Sequence, residues 1–300
     1  MKRFRVLICM SLLLVTVACN RSNRHGFRFV FISDVHYTGE RGAPQGLAQA
    51  IQLINTLNPK PDFVISGGDG IMDALEASEG AADSAYTAFL AALDALEMPV
   101  YHTIGNHEYF GVYESSGISP EHPRYGNVMF TERTGYARPY HAFTHRGWLF
   151  IMLNSIAVTA DRGYTGHIDS TQLSWLQATL SKHGTEKPVV IASHMPFYSI
   201  AAQMVNGPMT ANEAWAVVGN APEVMAVLAP YNCRLVLQGH LHIQESMRWK
   251  ETEFITGGAV CAAWWTGPNM GFEEGFVVVD VKENDYSWEY IDYGWEALSE

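Results

Sequence analysis

Basic side chains are scarce. Nineteen Lys and Arg stand against 31 Asp and Glu, a formal net charge of −12 over 300 residues. Binding a polyanion needs clustered Lys and Arg, so a nucleic-acid polymer is not an expected partner. Cysteines number only four, and no two of them have C-x-x-C spacing. Zinc held by thiolates is therefore not expected. Charged heptads and internal repeats are also missing, which excludes a coiled coil and a solenoid. What is present is 48% hydrophobic and 17% charged residues, a globular composition with enough apolar material for a sizeable core.

The first residues read as an address. Lys2, Arg3 and Arg5 precede Val6 to Ala18, a run of 13 residues without charge. A membrane-spanning helix needs about 20. The run has the length and flanks of a secretory signal, and Val17-Ala18-Cys19 resembles the end of a bacterial lipoprotein signal. Thr16 departs from that pattern, standing where an aliphatic residue is usual. A plain secretory signal is the alternative. The expectation is a signal peptide over 1–18, a tether over 19–26 and one domain over 27–300. The protein would be exported to the cell envelope, periplasm or outer surface, with a lipid anchor at Cys19 as its membrane contact. Removing three basic charges and no acids would leave the mature chain at −12 − 3 = −15. Cys233 and Cys261 are read as buried free thiols, although an export context permits a disulfide.

Five short apolar runs end in polar residues. Phe27 to Ser33 is followed by Asp34-Val35-His36, and Asp62 to Ser66 by Gly67-Gly68-Asp69. Val100 to Ile104 leads to Gly105-Asn106-His107-Glu108, Val189 to Ser193 to His194, and Arg234 to Gln238 to Gly239-His240-Leu241-His242. Such runs read as strands buried on both faces. Helical spacing separates several of them: around Leu47 to Asn58; from Tyr86 to Leu96 behind a cap at Asp83 or Ser84; from Gln172 to Leu180 behind Asp169 or Ser170; and from Pro222 to Ala229. Alternation of this kind indicates a largely parallel sheet with helices outside, and ligands gather beyond the carboxyl ends of such strands. Glycine at 68, 105 and 239 allows a sharp turn before each key polar residue. Asp34 and His36, like His240 and His242, are two apart, so strand alternation would aim each pair the same way.

Oxygen and imidazole donors without cysteine suit Mn, Fe or Zn. Asp69 can bridge two ions, and two ions about 3.5–4 Å apart produce a hydroxide at neutral pH and clamp an in-line displacement. The ordered set D-x-H, GGD, GNHE, lone His before Pro, and GHLH resembles the calcineurin-like metallophosphoesterase family, across residues 34 to 242. The resemblance implies a four-layer α/β/β/α sandwich of two mixed sheets with helices on both outer faces. It implies a first metal held by Asp34, His36, Asp69 and His242, and a second by Asp69, Asn106, His194 and His240. His107 would contact the phosphate and protonate the leaving oxygen. Met72 stands where purple acid phosphatases have tyrosine, and they lack the first-motif histidine present here as His36. No iron–tyrosinate colour is expected.

The implied activity is dinuclear-metal hydrolysis of a small phosphorylated substrate, a phosphomonoester or a phosphodiester, by a metal-bound hydroxide attacking phosphorus. The +4 of two divalent ions offsets the acidic surface locally. The alternative is a metal-stabilised surface binding lipoprotein without turnover. Asp73 is read as orienting a ligand histidine or capping a loop, and Glu108 is placed outside the site. Residues 109–140 and 199–212 read as loops. Trp264 and Trp265 read as aromatic core, with a base-stacking platform as the other possibility. Tyr113, Arg124, Tyr125 and Arg138 read as surface packing, with substrate contact as the alternative. The tail reads as a hairpin turning at Asn284-Asp285, and another hairpin turns around His145-Arg146-Gly147.

Overall fold

The structure, a computed structural model, describes residues 26–298. The signal segment and Cys19 lie outside the described residues. In chain order the elements are β1 (Phe27–Ile32), α1 (Ala43–Thr56), β2 (Phe63–Ser66), α2 (Glu79–Leu93), β3 (Val100–His102), α3 (Val128–Thr134), β4 (His141–His145) and β5 (Trp148–Leu153). There follow β6 (Ile156–Val158), β7 (Tyr164–Gly166), α4 (Ser170–His183), β8 (Val189–Ser193), α5 (Ala201–Asn206) and α6 (Ala221–Leu228). The chain closes with β9 (Cys233–Gln238), β10 (Gln244–Trp249), β11 (Thr252–Gly257), β12 (Gly275–Lys282) and β13 (Asp285–Asp292).

All five apolar runs are strands, but they divide between two sheets. One sheet runs β13-β12-β1-β2-β3, the other β10-β11-β9-β8-β5-β4. In the first, β1, β2 and β3 are parallel and β12 and β13 add antiparallel at one edge; in the second, β11, β9, β8 and β5 are parallel and antiparallel β10 and β4 close the edges. Strand–helix alternation alone indicated one largely parallel sheet. The two mixed sheets match instead the layering that the family resemblance implied. The strands are buried on both faces because each face has its own layer to meet. Phe29, Phe31, Phe63, Phe150, Leu235, Leu237, Val277 and Val279 fill the space between the sheets. Phe29 stacks on Phe63 of its own sheet at 5.2 Å and meets Phe150 of the other edge-on at 5.3 Å. The alternate residues Val30, Ile32, Val64, Ile151 and Ile191 join a second core with Leu47, Ile51 and Ile54 of α1 and Leu176 and Leu180 of α4.

Local signals hold with some corrections. Asp169 caps α4 by accepting from Gln172 N, and Pro222 sits in the first turn of α6. Helix α2 begins earlier than its apolar spacing suggested, behind Ser78, whose hydroxyl accepts from Ala81 N. Asp83 is not a cap; it pairs with Arg124 at 2.8 Å and with Arg133. Arg124 is the structural residue expected, since it also reaches Glu79 and Glu132. The segment 109–140 contains a 3₁₀ turn at Glu114–Ser116 and α3, and the segment after His194 contains α5. The final hairpin turns at Glu283-Asn284, one residue before the position expected. Cys233 and Cys261 are buried free thiols.

Candidate metal centre

The parallel strands of both sheets deliver their carboxyl ends to one edge. Strand β1 ends at Ile32, and the backbone then turns left-handed at Asp34 (φ 54°) and His36 (φ 43°). Asp69 (φ 50°), His240 (φ 72°) and His242 (φ 53°) share that conformation. The paired residues therefore point together through a strained turn past the strand end, and not through strand alternation. The turns are tied across the edge: Asp34 N donates to Gly68 O at 3.0 Å and His36 N to Asp69 O at 2.9 Å.

Glycine is needed here for two reasons. Gly68 has φ 99°, the expected sharp turn. At Gly105 and Gly239 the reason is close approach. A Cβ at Gly105 would strike the amide and carboxylate of Asp69, and one at Gly239 would strike Ser33 Oγ.

Asp34, His36, Asp69, Asn106, His194 and His242 are all buried, and His240 lies beside them, partly buried. Their donor atoms form two sets that meet at one oxygen. Asp69 Oδ2 is 3.1 Å from His194 Nε2 and 3.6 Å from His36 Nε2. In the first set, His36 Nε2 faces His242 Nε2 at 3.1 Å, and His242 Nε2 is 3.4 Å from Asp34 Oδ1. In the second, His194 Nε2 lies 3.1 Å from Asn106 Oδ1 and 3.2 Å from His240 Nδ1.

Hydrogen bonds on the far side of three of these rings aim their inward nitrogens, while His36 Nδ1 is buried without a hydrogen-bond partner. His242 Nδ1 donates to Ala262 O at 2.5 Å, His194 Nδ1 to Gly67 O at 3.0 Å, and His240 Nε2 to Trp215 O at 2.8 Å. A nitrogen that donates to a carbonyl carries the proton, so the other nitrogen of each ring turns a lone pair inward. Lone pairs about 3 Å apart repel unless a proton or a cation lies between them. With protons alone, the site is unevenly charged. Burial opposes charge on His194, but Asp69 and Asp34 outweigh it and push the imidazole up to about 9. Burial instead pushes His36 down to about 3 and His240 down to about 4. Converging nitrogens, two carboxylates and an amide oxygen fit two borderline transition-metal ions.

His107 also reaches the centre: its ring lies 4.6 Å from that of His36, and its ligand atom lies within 4.8 Å of those of His36 and Asp69. Its Nδ1 donates to Met72 O at 2.6 Å, and its Nε2, 4.0 Å from Asp69 Oδ2, is directed to the centre. The side chain keeps 25% of its surface exposed. Asp73 accepts from the amides of Leu75 and Glu76, the loop-capping role, while its Oδ1 lies 3.7 Å from His107 Nδ1.

Four features were not legible at their positions. Glu108, placed outside the site, is buried beneath it and ties both glycine turns together. Its Oε2 accepts from Asp69 N at 2.9 Å and Gly105 N at 2.7 Å, and its Oε1 from Gly70 N at 2.6 Å. Burial and the charge of Asp69 push this carboxyl up to about 7 against the pull of His194 and of those amides. The available signal was the glycine-rich turn Gly67–Gly70, whose amides need a buried acceptor. The thiol of Cys261 comes within 4.8 Å of nitrogens of His36 and His242, although no cysteine was expected near the site. Burial raises its pKa, so it stays a neutral thiol, a poor ligand, 3.6 Å from Ala262 O. Trp265 is core, but Trp264 is 41% exposed beside His242. Trp215, 49% exposed, borders His240.

Comparison with known proteins gives matches over most of the chain. The family model described as calcineurin-like phosphoesterase matches residues 27–244. A 3′,5′-cyclic adenosine monophosphate phosphodiesterase of Haemophilus influenzae is 22% identical over 218 residues, 71% of this chain and 66% of that protein, just under two thirds of its length. A probable cyclic nucleotide phosphodiesterase of Moraxella catarrhalis is 25% identical over 228 residues, 74% of either chain. Among solved structures, a dimetal phosphatase from Danio rerio superposes with a TM-score of 0.61 at 20% identity, covering 89% of this chain and 96% of that one.

Proposed function

Since the chain belongs to the calcineurin-like phosphoesterase family, we propose that it is a dinuclear-metal phosphodiesterase acting on a small phosphorylated substrate. The observation that carries this reading is the convergence of histidine lone pairs on both sides of Asp69 Oδ2. Asp34, His36, Asp69 and His242 would hold one ion; Asp69, Asn106, His194 and His240 the other. Bound there, a pair of Mn, Fe or Zn ions supplies neutralisation of phosphate charge and acidification of a water.

The chain's own residues do the rest. Carbonyls of Gly67, Trp215 and Ala262 fix the histidine tautomers. Met72 O holds the Nδ1 proton of His107, so the ring would act as a donor in its imidazolium form, whose second proton, on Nε2, goes to the departing ester oxygen and leaves the neutral ring. The preference for a diester rests on the names of the two cyclic nucleotide phosphodiesterase relatives. Export and a lipid anchor at Cys19 are proposed from the sequence alone, and fatty-acid labelling that persists in Cys19→Ala would remove the anchor.

The decisive assay compares bis(p-nitrophenyl) phosphate with p-nitrophenyl phosphate, using protein whose metal content is measured. Turnover of the diester is expected to dominate. No turnover of either ester with both ions bound would overturn the proposal.

A further inference from the structure

Adjacent tryptophans part ways at the rim of the metal centre. Trp265 is an anchor: its ring is buried against Gly46 of α1, and its Nε1 donates to His36 O at 3.2 Å. Trp264 beside it is 41% exposed. Its ring centroid lies 4.6 Å from that of His242 and 5.9 Å from that of His36.

The loop that presents it is strained. Ala262 (φ 41°), Trp264 (φ 51°) and Trp265 (φ 70°) all occupy the left-handed region, which a Cβ disfavours. Strain of this kind persists only where the surroundings hold it, and it clusters at functional sites. The holding contacts are visible. His242 Nδ1 donates to Ala262 O, Trp265 N donates to Cys261 O at 2.8 Å, and Arg41 Nη1 donates to Trp264 O at 3.4 Å. The indole is thereby fixed relative to two histidines of the centre.

The other donor set has its own indole. Trp215 is 49% exposed, its ring lies 6.0 Å from His240, and its carbonyl accepts from His240 Nε2. One exposed indole thus borders each donor set. Large apolar rings left partly in water beside a polar cluster mark a ligand-facing surface.

We propose that Trp264, with Trp215 as a second wall, is a specificity residue that stacks a planar aromatic group of the substrate, which selects nucleotide-type phosphodiesters over alkyl ones. This rests on the phosphodiesterase reading above. Indole faces suit flat rings, and stacking tolerates any base because every base has a π-face.

The test uses metal-loaded protein and two diesters that share one leaving group, the p-nitrophenyl ester of thymidine 5′-monophosphate and ethyl p-nitrophenyl phosphate. Trp264→Leu keeps apolar bulk without a ring, and Trp264→Phe keeps a ring. With Trp264→Leu, KM for the thymidine ester is expected to rise about 10- to 100-fold, as loss of one stacking contact implies. The ethyl ester should change less than about two-fold, and Trp264→Phe should restore most of the preference. AMP affinity, measured by calorimetry on the same samples, should weaken in parallel in Trp264→Leu.

Equal losses on both esters would show that the indole only props His242, and no loss on either would show that it touches nothing; each result overturns the proposal. If the wild type hydrolyses neither ester, the phosphodiesterase reading fails, and calorimetry then decides this one. AMP affinity that depends on the ring supports stacking, and affinity that ignores it overturns stacking.

Discussion

Adding one methyl group to Gly105 tests the architecture most directly. Gly105 has no positive φ, so alanine meets no backbone penalty there. In open space such a change stabilises by about 0.4–1 kcal/mol, through a less free unfolded chain. At Gly105 the new Cβ would collide with the amide and Oδ1 of Asp69 and stand 2.9 Å from its Cγ. The obstacle is partly backbone, pinned by Glu108, so it cannot swing aside as a flexible tip would. Overpacking of this kind costs about 1–3 kcal/mol, which outweighs the gain. Asp69 must also move by on the order of 1 Å, and displacements of that size cost about 100-fold in rate. Gly80, in the first turn of α2, is the control, because a Cβ there meets nothing within 4 Å. Chemical denaturation of the metal-free proteins should show Gly105→Ala less stable and Gly80→Ala equal to or more stable than wild type. Chelator competition should show weakened metal binding in Gly105→Ala alone. A Gly105→Ala protein that binds two ions and folds like wild type would refute the close approach on which the shared carboxylate depends.

Three further outcomes are expected. In Glu108→Gln, one end of the amide turns N–H groups toward backbone N–H groups, so chelator competition should show about 10- to 100-fold weaker metal binding; unchanged affinity would make Glu108 a bystander. His107→Ala should keep its metal content by mass spectrometry and lose about 10²- to 10⁴-fold in turnover, and retained turnover would remove its role as proton donor. His102, pushed down to about 4 by burial and by His141, stays neutral when folded but protonates near 6.5 when unfolded. The unfolded chain therefore binds the extra proton between those values, and its contribution to stability is lost as pH falls from about 6.5 to about 4. Denaturation of metal-free His102→Gln should show a shallower loss than wild type over that window, and parallel curves would contradict the assignment.

Much of this molecule is legible in its sequence because its signals are local. An apolar run that stops at a polar residue marks a strand end, and five such runs named seven residues that the structure gathers at one edge, with His107 beside them. Asp169 and Pro222 likewise act on their own helices. Other assignments depended on partners far along the chain. Asp83 reads as a cap until Arg124 and Arg133 claim it. Glu108 is placed outside the site until amides from 37 to 39 residues away close around it. Trp264 and Trp265 are indistinguishable until α1 takes one of them.

A strand buried on both faces has the same pattern whether it meets helices or a second sheet, so periodicity alone could not divide five strands between two sheets. Local chemistry along the chain thus determined which residues end the strands and which donor atoms they carry. Packing between distant segments decided which nitrogen of each histidine turns inward, which glycines make room for a carboxylate, and which indole faces solvent. Those properties belong to pairs of groups that only folding brings within a few ångströms.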